Sequence, residues 1–133
     1  MNLKQVFIPV LLILAYGCSD PKAEKIDQLK ERCIEVHDVA MPKMGAVENR
    51  IVELRKIAAM DSTRRNLVYE KLQALEQASE DMMDWMAGYD PHHQHTSKDS
   101  IIAYYEQQLE RIVEIDKQID KSIAEADEIK LQE

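Results

Sequence analysis

The stretch His37-Asp-Val-Ala-Met-Pro-Lys-Met-Gly45 lies in the middle of a long helical pattern and interrupts it. His37, Met41 and Met44 follow one another at i, i+4 and i+7, which places them on the same side of an α-helix. Pro42 removes a backbone donor inside this run, and its ring clashes with the carbonyl four residues earlier, at a cost of about 3 kcal/mol. The stretch therefore predicts a kink with a cluster of soft side chains beside it.

Apolar residues continue the pattern on both sides of the kink in steps of three and four: Ile26, Leu29, Cys33, Val36, Ala40, Met44, Val47, Ile51, Leu54 and Ala58. This is heptad spacing with one extra step of four across Pro42. Pro21 suits the first turn of a helix, and Ser19 or Asp20 can cap it. We therefore predict one kinked helix near 21–60.

Two further helical patterns follow after short connections. Near 63–87 the apolar seam is Val68, Leu72, Leu75, Ser79, Met82 and Met86, and near 97–131 it is Ile102, Tyr105, Leu109, Ile112, Ile115, Ile119, Ile123 and Ala126. No stretch alternates like a strand. Short connections join antiparallel neighbours, so we predict an all-α fold, an up-down-up three-helix antiparallel bundle with a long, Pro-kinked first helix. A coiled-coil dimer is the alternative for heptads of this length.

Residues 1–17 have the composition of a secretory signal peptide. Lys4 supplies a positive charge, an apolar run covers 6–14, and the small residue Gly17 precedes Cys18. The apolar run is shorter than an ordinary membrane-spanning helix. A small residue followed by cysteine resembles the bacterial lipobox. We therefore predict a lipoprotein signal peptide, and an ordinary secretory signal cut near Gly17 is the alternative.

Under the lipoprotein prediction, Cys18 is the lipidated first residue of the mature chain. Residues 18–24 are then the lipidated cysteine with a short tether, and 25–133 form the bundle. Ser19 stands where aspartate is the inner-membrane retention signal in many Gram-negative bacteria, and Asp20 lies one place further along. We expect an outer-membrane lipoprotein on the periplasmic face, with exposure at the cell surface left open.

The charge and cysteine content exclude several classes of protein. The net charge of −8, from 17 basic and 25 acidic residues, disfavours a nucleic-acid partner. Cys33 is the only cysteine besides Cys18, so no internal disulfide is expected, and we expect Cys33 to be buried as a small hydrophobe. The carboxylates follow solvent-facing helix positions, and no serine or cysteine stands beside a histidine in a nucleophile arrangement. We expect no catalytic activity.

A second soft segment, Asp81-Met-Met-Asp-Trp-Met86, carries the only tryptophan. A turn centred near residues 62 and 63 places Met44 opposite Asp81 or Met82, and a second turn near residue 93 brings Tyr105 to the level of Met82. The turns therefore predict one layer of the bundle, with His37 a turn away near Gly88. The members of this predicted layer are Met41, Met44, Met82, Met86, Trp85 and Tyr105.

This layer has two main interpretations. In the first, the kink leaves an irregular gap that flexible methionines fill against aromatic rings, and no cofactor is bound. In the second, thioether and imidazole groups bind Cu(I) or another soft metal, since such ligands suit copper in this state; the candidate ligands are His37, Met41, Met44, Met82 and Met86. A haem site on a histidine and a methionine is a third possibility.

The histidine-rich connection is a second metal candidate. His92, His93 and His95 lie within four residues of one another, a spacing that can hold a metal such as zinc. A solvated polar loop is the alternative.

The chain resembles a family of small helical lipoproteins of Gram-negative bacteria that carry the label "viral A-type inclusion protein". The resemblance rests on the lipoprotein start, on the stretch from His37 to Gly45, and on Met82-Met-Asp-Trp-Met86, and it spans most of the mature chain. It implies the helical fold and the membrane address, suggests that the two methionine segments belong together, and implies no activity. We expect a structural or partner-binding module held to the membrane by its lipid, with a protein partner that the sequence does not name.

Overall fold

The computed structural model describes residues 20–130. The predicted signal peptide and the lipid site at Cys18 lie outside the described residues. All secondary-structure elements within residues 20–130 are helical: α1 spans Pro21–Ala40, a 3-10 turn spans Met41–Lys43, α2 spans Met44–Met60, α3 spans Arg65–Gly88 and α4 spans Lys98–Lys130. The predicted all-α three-helix bundle is confirmed, and α1, the 3-10 turn and α2 together form its first arm. Within residues 20–130, no helix is both long and apolar enough to cross a membrane.

The first arm begins at a capped proline. Oδ1 of Asp20 accepts a hydrogen bond from the backbone N–H of Lys22 at 3.0 Å, and Pro21 occupies the first helical position, where its missing donor is no loss. The helix therefore includes residues 21–24, which the sequence had placed in the tether. Any tether between Cys18 and the bundle ends at Asp20.

Pro42 turns the middle of the first arm into a 3-10 turn. The backbone N–H of Met44 bonds to the carbonyl of Met41, an i to i+3 hydrogen bond, whereas the N–H of Met41 still makes an α-helical bond to the carbonyl of His37. No glycine among residues 20–130 has a positive φ. The break in the helical pattern is therefore due to the proline and does not depend on Gly45.

The core follows the predicted seams with two corrections. On the first arm the predicted seam is confirmed at its most buried members, which are Ile26, Cys33, Ala40, Val47, Ile51, Leu54 and Ala58. On α3, Ala78 and Trp85 are buried in place of the predicted Ser79 and Met86. On α4, Ser122 is buried beside the half-buried Ile123, and its hydroxyl donates to the carbonyl of Ile119 at 3.0 Å, which satisfies it.

Ion pairs join the first arm to α4 in a fixed register. From one end of the bundle to the other they are Lys22–Asp99 at 2.8 Å, Lys25–Glu106 at 2.6 Å, Lys43–Asp116 at 2.7 Å and Arg50–Asp127 at 2.5 Å. The partner numbers rise together along both helices, so the first arm and α4 run parallel, as an up-down-up bundle requires. Exposed pairs of this kind contribute little free energy each, so apolar burial remains the main source of stability.

Lys43 makes the most enclosed of these contacts, because it bonds to both Asp116 and Asp120. Partial burial lowers the pKa of Lys43, but the hydrogen bonds that it donates to the two carboxylates outweigh this, and the net shift is upward. The ammonium group next to the 3-10 turn therefore stays charged and holds the kink against α4.

The register of α3 against α4 differs from the prediction. The sequence placed Tyr105 at the level of Met82. In the structure Trp85 reaches Gln108 and Lys71 reaches Glu125, so α4 is displaced by roughly two turns. The reason is the connection 89–97, which runs beyond the end of α3 before α4 begins at Lys98 and returns.

Met82 and Met83 provide a direct test of how α3 is oriented, because Met82 is fully buried and Met83 is 57% exposed. We expect Met82→Ala to lower the free energy of unfolding by about 2–5 kcal/mol, since it leaves a cavity. Met83→Ala should change it by no more than about 0.5 kcal/mol. Urea unfolding followed by far-UV circular dichroism measures both. Equal losses would mean that α3 does not present this face to the core.

Candidate functional site

Six rings contact one another in series, some stacked and some edge to face, where α3 ends and the connection to α4 begins. The centroid distances are 5.8 Å for His37–Trp85, 4.6 Å for Trp85–Tyr89, 6.2 Å for Tyr89–Tyr105, 5.0 Å for Tyr104–Tyr105 and 3.8 Å for His93–Tyr104. The rings come from α1, α3, the connection and α4. We call this set the aromatic column: His37, Trp85, Tyr89, Tyr105, Tyr104 and His93.

Trp85 is the buried centre of the aromatic column. Its side chain is 2% exposed, and its indole N–H donates to the backbone carbonyl of Gln108 on α4 at 3.2 Å. One neighbour in the stack is His37 on α1, and another is Tyr89 just beyond α3. The donor of a buried indole needs a partner, and here that partner also fixes α3 against α4.

Tyr104 and Tyr105 hold the connection in place. The hydroxyl of Tyr105 donates to the carbonyl of Asp90 at 3.1 Å, and the backbone N–H of Asp90 donates to the hydroxyl oxygen of Tyr104 at 2.8 Å. Tyr89 packs on a second small core formed by Ile26, Ile102 and Tyr105. The connection therefore covers the end of the bundle that α3 does not reach.

Five members of the predicted layer belong to one core or pack against it, and their arrangement as a single layer stays a prediction. Met82 and Trp85 belong to the main core, and the half-buried Met41, Met44 and Met86 pack against that same core. Tyr105 lies in the second core instead, which corrects its predicted place and follows from the shifted register of α4.

His37 lies at the edge of this layer, against Trp85, where the sequence had placed it near Gly88. Its side chain is 23% exposed, and its Nδ1 is 3.1 Å from Oδ1 of Asp38. A carboxylate beside Nδ1 favours the tautomer that carries its proton there, so Nε2 is the nitrogen left with a lone pair.

Two of the three histidines of the connection lie near each other, since the ring centroids of His93 and His95 are 6.4 Å apart. His93 stacks on Tyr104, His95 hydrogen-bonds through Nδ1 to the hydroxyl of Thr96 at 3.1 Å, and His92 is exposed. Across residues 20–130, no three His, Cys, Asp or Glu side chains form a group that could hold a metal ion. The loop metal site at His92, His93 and His95 therefore stays a prediction. Methionine is not among these four residue types, so this result does not bear on the predicted site around His37. That site also stays a prediction.

The groups with potential reactivity are buried in their neutral forms. Cys33 is inaccessible, its Sγ donates to the carbonyl of Tyr105 at 3.7 Å, and burial raises the pKa of its thiol to about 11. Burial also raises the pKa of Tyr89, whose hydroxyl is enclosed without a hydrogen-bond partner among the described residues. Neither group supplies a nucleophile near neutral pH.

A groove of about 900 Å³ runs along the outer side of α4, from Leu29 on α1 to Asp81 on α3. We call it the α4 groove. Leu29, Leu109, Val113 and Ile115 supply its apolar surface, and its charged residues are Asp81, Glu106, Glu110, Glu114, Arg111 and Lys117. Acidic side chains therefore outnumber basic ones along the groove.

The sequence did not indicate the aromatic column, apart from His37, Trp85 and Tyr105. The missing signal was present in Tyr89 and in the pair Tyr104–Tyr105, which flank the connection on both sides. Aromatic residues at the two ends of one loop can reach each other across it, and this arrangement marks a loop that packs.

Fold and site together define a helical bundle with one end closed by a packed loop. Comparisons with protein families, with curated proteins and with solved structures find no match. The resemblance to helical lipoproteins therefore rests on the sequence motifs alone.

The pKa of Cys33 predicts how stability depends on pH. The folded thiol loses its proton near pH 11, against an ordinary value of 9.0. A raised folded pKa contributes stability below the unfolded value and loses it as pH rises to the folded one, so the free energy of unfolding should fall between these values, by up to roughly 3 kcal/mol. Tyr89 and Tyr105, with raised pKa values, act in the same direction.

Cys33→Ala is the control that isolates the thiol, because the tyrosines remain. Urea unfolding of both proteins across this pH range should give a shallower decline for the variant. Equal slopes would contradict a buried neutral thiol.

Proposed function

We propose that this chain is a membrane-anchored, periplasm-facing helical lipoprotein that acts as a structural or partner-binding module, without catalysis. The observation that carries the proposal is the position at which the folded body begins. Asp20 caps α1 two positions after Cys18, so almost no chain separates the proposed lipid from the bundle. A bundle held this closely is suited to presenting its sides at a fixed distance from a membrane.

The end of the bundle next to Cys18 is tied together by charge. Lys98 at the start of α4 bonds to Asp20, and Lys22 bonds to Asp99 at 2.8 Å. The 33 residues of α4 span roughly 50 Å, so the opposite end of the bundle lies that far away. These features support a spacer or platform.

The use of ionisable groups supports a module that is not an enzyme. Lys43, Arg50 and Lys71 pair with carboxylates on α4 and stabilise the contact between helices. Cys33 and Tyr89 are enclosed and protonated. The described residues thus use their chemistry in packing and pairing.

The surface that best suits a protein partner is the α4 groove. Its apolar residues lie between α1 and α3, and a helix placed there would occupy the fourth position of a bundle. The excess of acidic side chains favours a partner helix with basic flanks. This arrangement gives the proposed module a side on which to bind.

Lipid attachment is tested at Cys18. Cells supplied with labelled palmitate should incorporate it into the wild-type chain, which should fractionate with the outer membrane. Cys18→Ala should lose both the label and the membrane association, while Cys33→Ala should keep both. A Cys18→Ala chain that is processed normally and still fractionates with membranes would exclude the lipid anchor.

Partner binding is tested with a photo-crosslinking residue in living cells. At Gln107, which is exposed and lines the α4 groove, we expect one defined protein adduct. Gln73, which is exposed on α3 outside the groove, is the matched control and should give none. Absence of an adduct at Gln107, or equal adducts at both positions, would contradict the proposed surface.

A further inference from the structure

The methionines of the two soft segments fall into separate groups. Met82 is fully buried, as a core residue should be, whereas Met83 is exposed. Met41, Met44 and Met86 are of a third kind, because they are half-buried and pack against the core that contains Trp85. These three side chains therefore contact the core and remain partly accessible to solvent.

The 3-10 turn brings Met41 and Met44 into line. A 3-10 helix has three residues per turn, so side chains at i and i+3 eclipse one another. The hydrogen bond from the N–H of Met44 to the carbonyl of Met41 shows that this pair is the i and i+3 of the turn. The side chains of Met41 and Met44 therefore leave the backbone on the same side of the first arm.

His37 adds an imidazole on the same side of the arm, one helical turn before Met41. Its Nδ1 lies 3.1 Å from Asp38, an arrangement common in metal-binding histidines, where a carboxylate holds the ring and leaves the other nitrogen to bind. The ring also stacks on Trp85 at 5.8 Å. An ion at Nε2 would thus lie close to an indole, and aromatic faces attract cations.

We propose that this junction binds Cu(I). The ligands are Nε2 of His37 and thioether sulfurs from Met41, Met44 and Met86, and the indole of Trp85 shields the ion. Thioether and imidazole are soft or borderline ligands that select Cu(I), and the ion keeps its oxidation state on binding, so no redox step is involved. This site is a function beyond the lipid-anchored module and does not depend on the lipid.

The acidic character of the chain supports a cation at this position. Asp38 contacts His37 directly, and the chain carries a net charge of −8. If these half-buried side chains only packed, leucine would stabilise the fold equally well there, since exchange of leucine and methionine in cores costs little stability. Copper binding requires sulfur there, and this difference makes the two interpretations separable.

The test uses the full chain extracted from membranes in a mild detergent. It is titrated without oxygen against Cu(I) held by the coloured chelator bicinchoninate, while the emission of Trp85, the only tryptophan, is recorded. We expect the chain to withdraw an equimolar amount of Cu(I) and the emission to be quenched. Met41→Leu, Met44→Leu and His37→Ala should each weaken the affinity by at least about tenfold. Circular dichroism should show an unchanged fold, because leucine keeps the volume of methionine.

The controls distinguish other sites on the same chain. Met82→Leu and Met83→Leu should leave the affinity unchanged, because neither side chain is a ligand. Cys33→Ala and the double variant His93→Ala, His95→Ala should also leave it unchanged. Failure of the chain to compete with the chelator would overturn the proposal. So would an equal loss in Met83→Leu, or binding that depends on Cys33 or on the loop histidines.

Discussion

The indole of Trp85 is the contact on which the shape of this bundle depends. α3 is shorter than the first arm or α4, so the first arm and α4 continue side by side beyond the end of α3. At that point the indole N–H of Trp85 donates to the carbonyl of Gln108, and the indole ring stacks on both His37 and Tyr89. A single buried side chain therefore joins α1, α3, α4 and the connection. The other rings of the aromatic column occupy the space that further turns of α3 would otherwise fill.

The second constraint is the proline in the first arm. A straight α-helix drifts relative to a heptad seam, so an arm that must follow α4 over its whole length needs a correction. Pro42 provides this correction because it removes one donor and tightens the next turn. Ion pairs keep the same register on both sides of it, from Lys22–Asp99 to Arg50–Asp127. The kink therefore maintains the long contact and does not interrupt it.

The sequence predicted the features that depend on local periodicity. The helices and the seam of the first arm follow from spacing of three and four, and the cap at Ser19 or Asp20 follows from the polar residues before Pro21. The predicted seam of α3 omitted Ala78 and Trp85 because each helix of a three-helix bundle faces two neighbours, so its buried face is wider than one heptad seam. The register of α4 was missed for a different reason. The connection advances along the bundle, and α4 must return from Lys98 to Gln108 before it meets Trp85. The path of the connection depends on Tyr104 and Tyr105, which hold it by hydrogen bonds although they lie in α4.

The same distinction applies to the candidate site. Spacing placed His37, Met41 and Met44 on one side of the arm, but it could not separate the buried Met82 from its half-buried neighbours. The degree of burial separates these methionines, and it depends on the position of Trp85 in the folded bundle. A ligand held at the junction would bind the folded bundle and not the unfolded chain, because its ligand atoms come from two helices that only folding brings together. It would therefore stabilise the contact that the shape of the bundle depends on. The half-buried methionines and Trp85 thus both lie where α3 ends before the first arm and α4 do, and both help to close the bundle there.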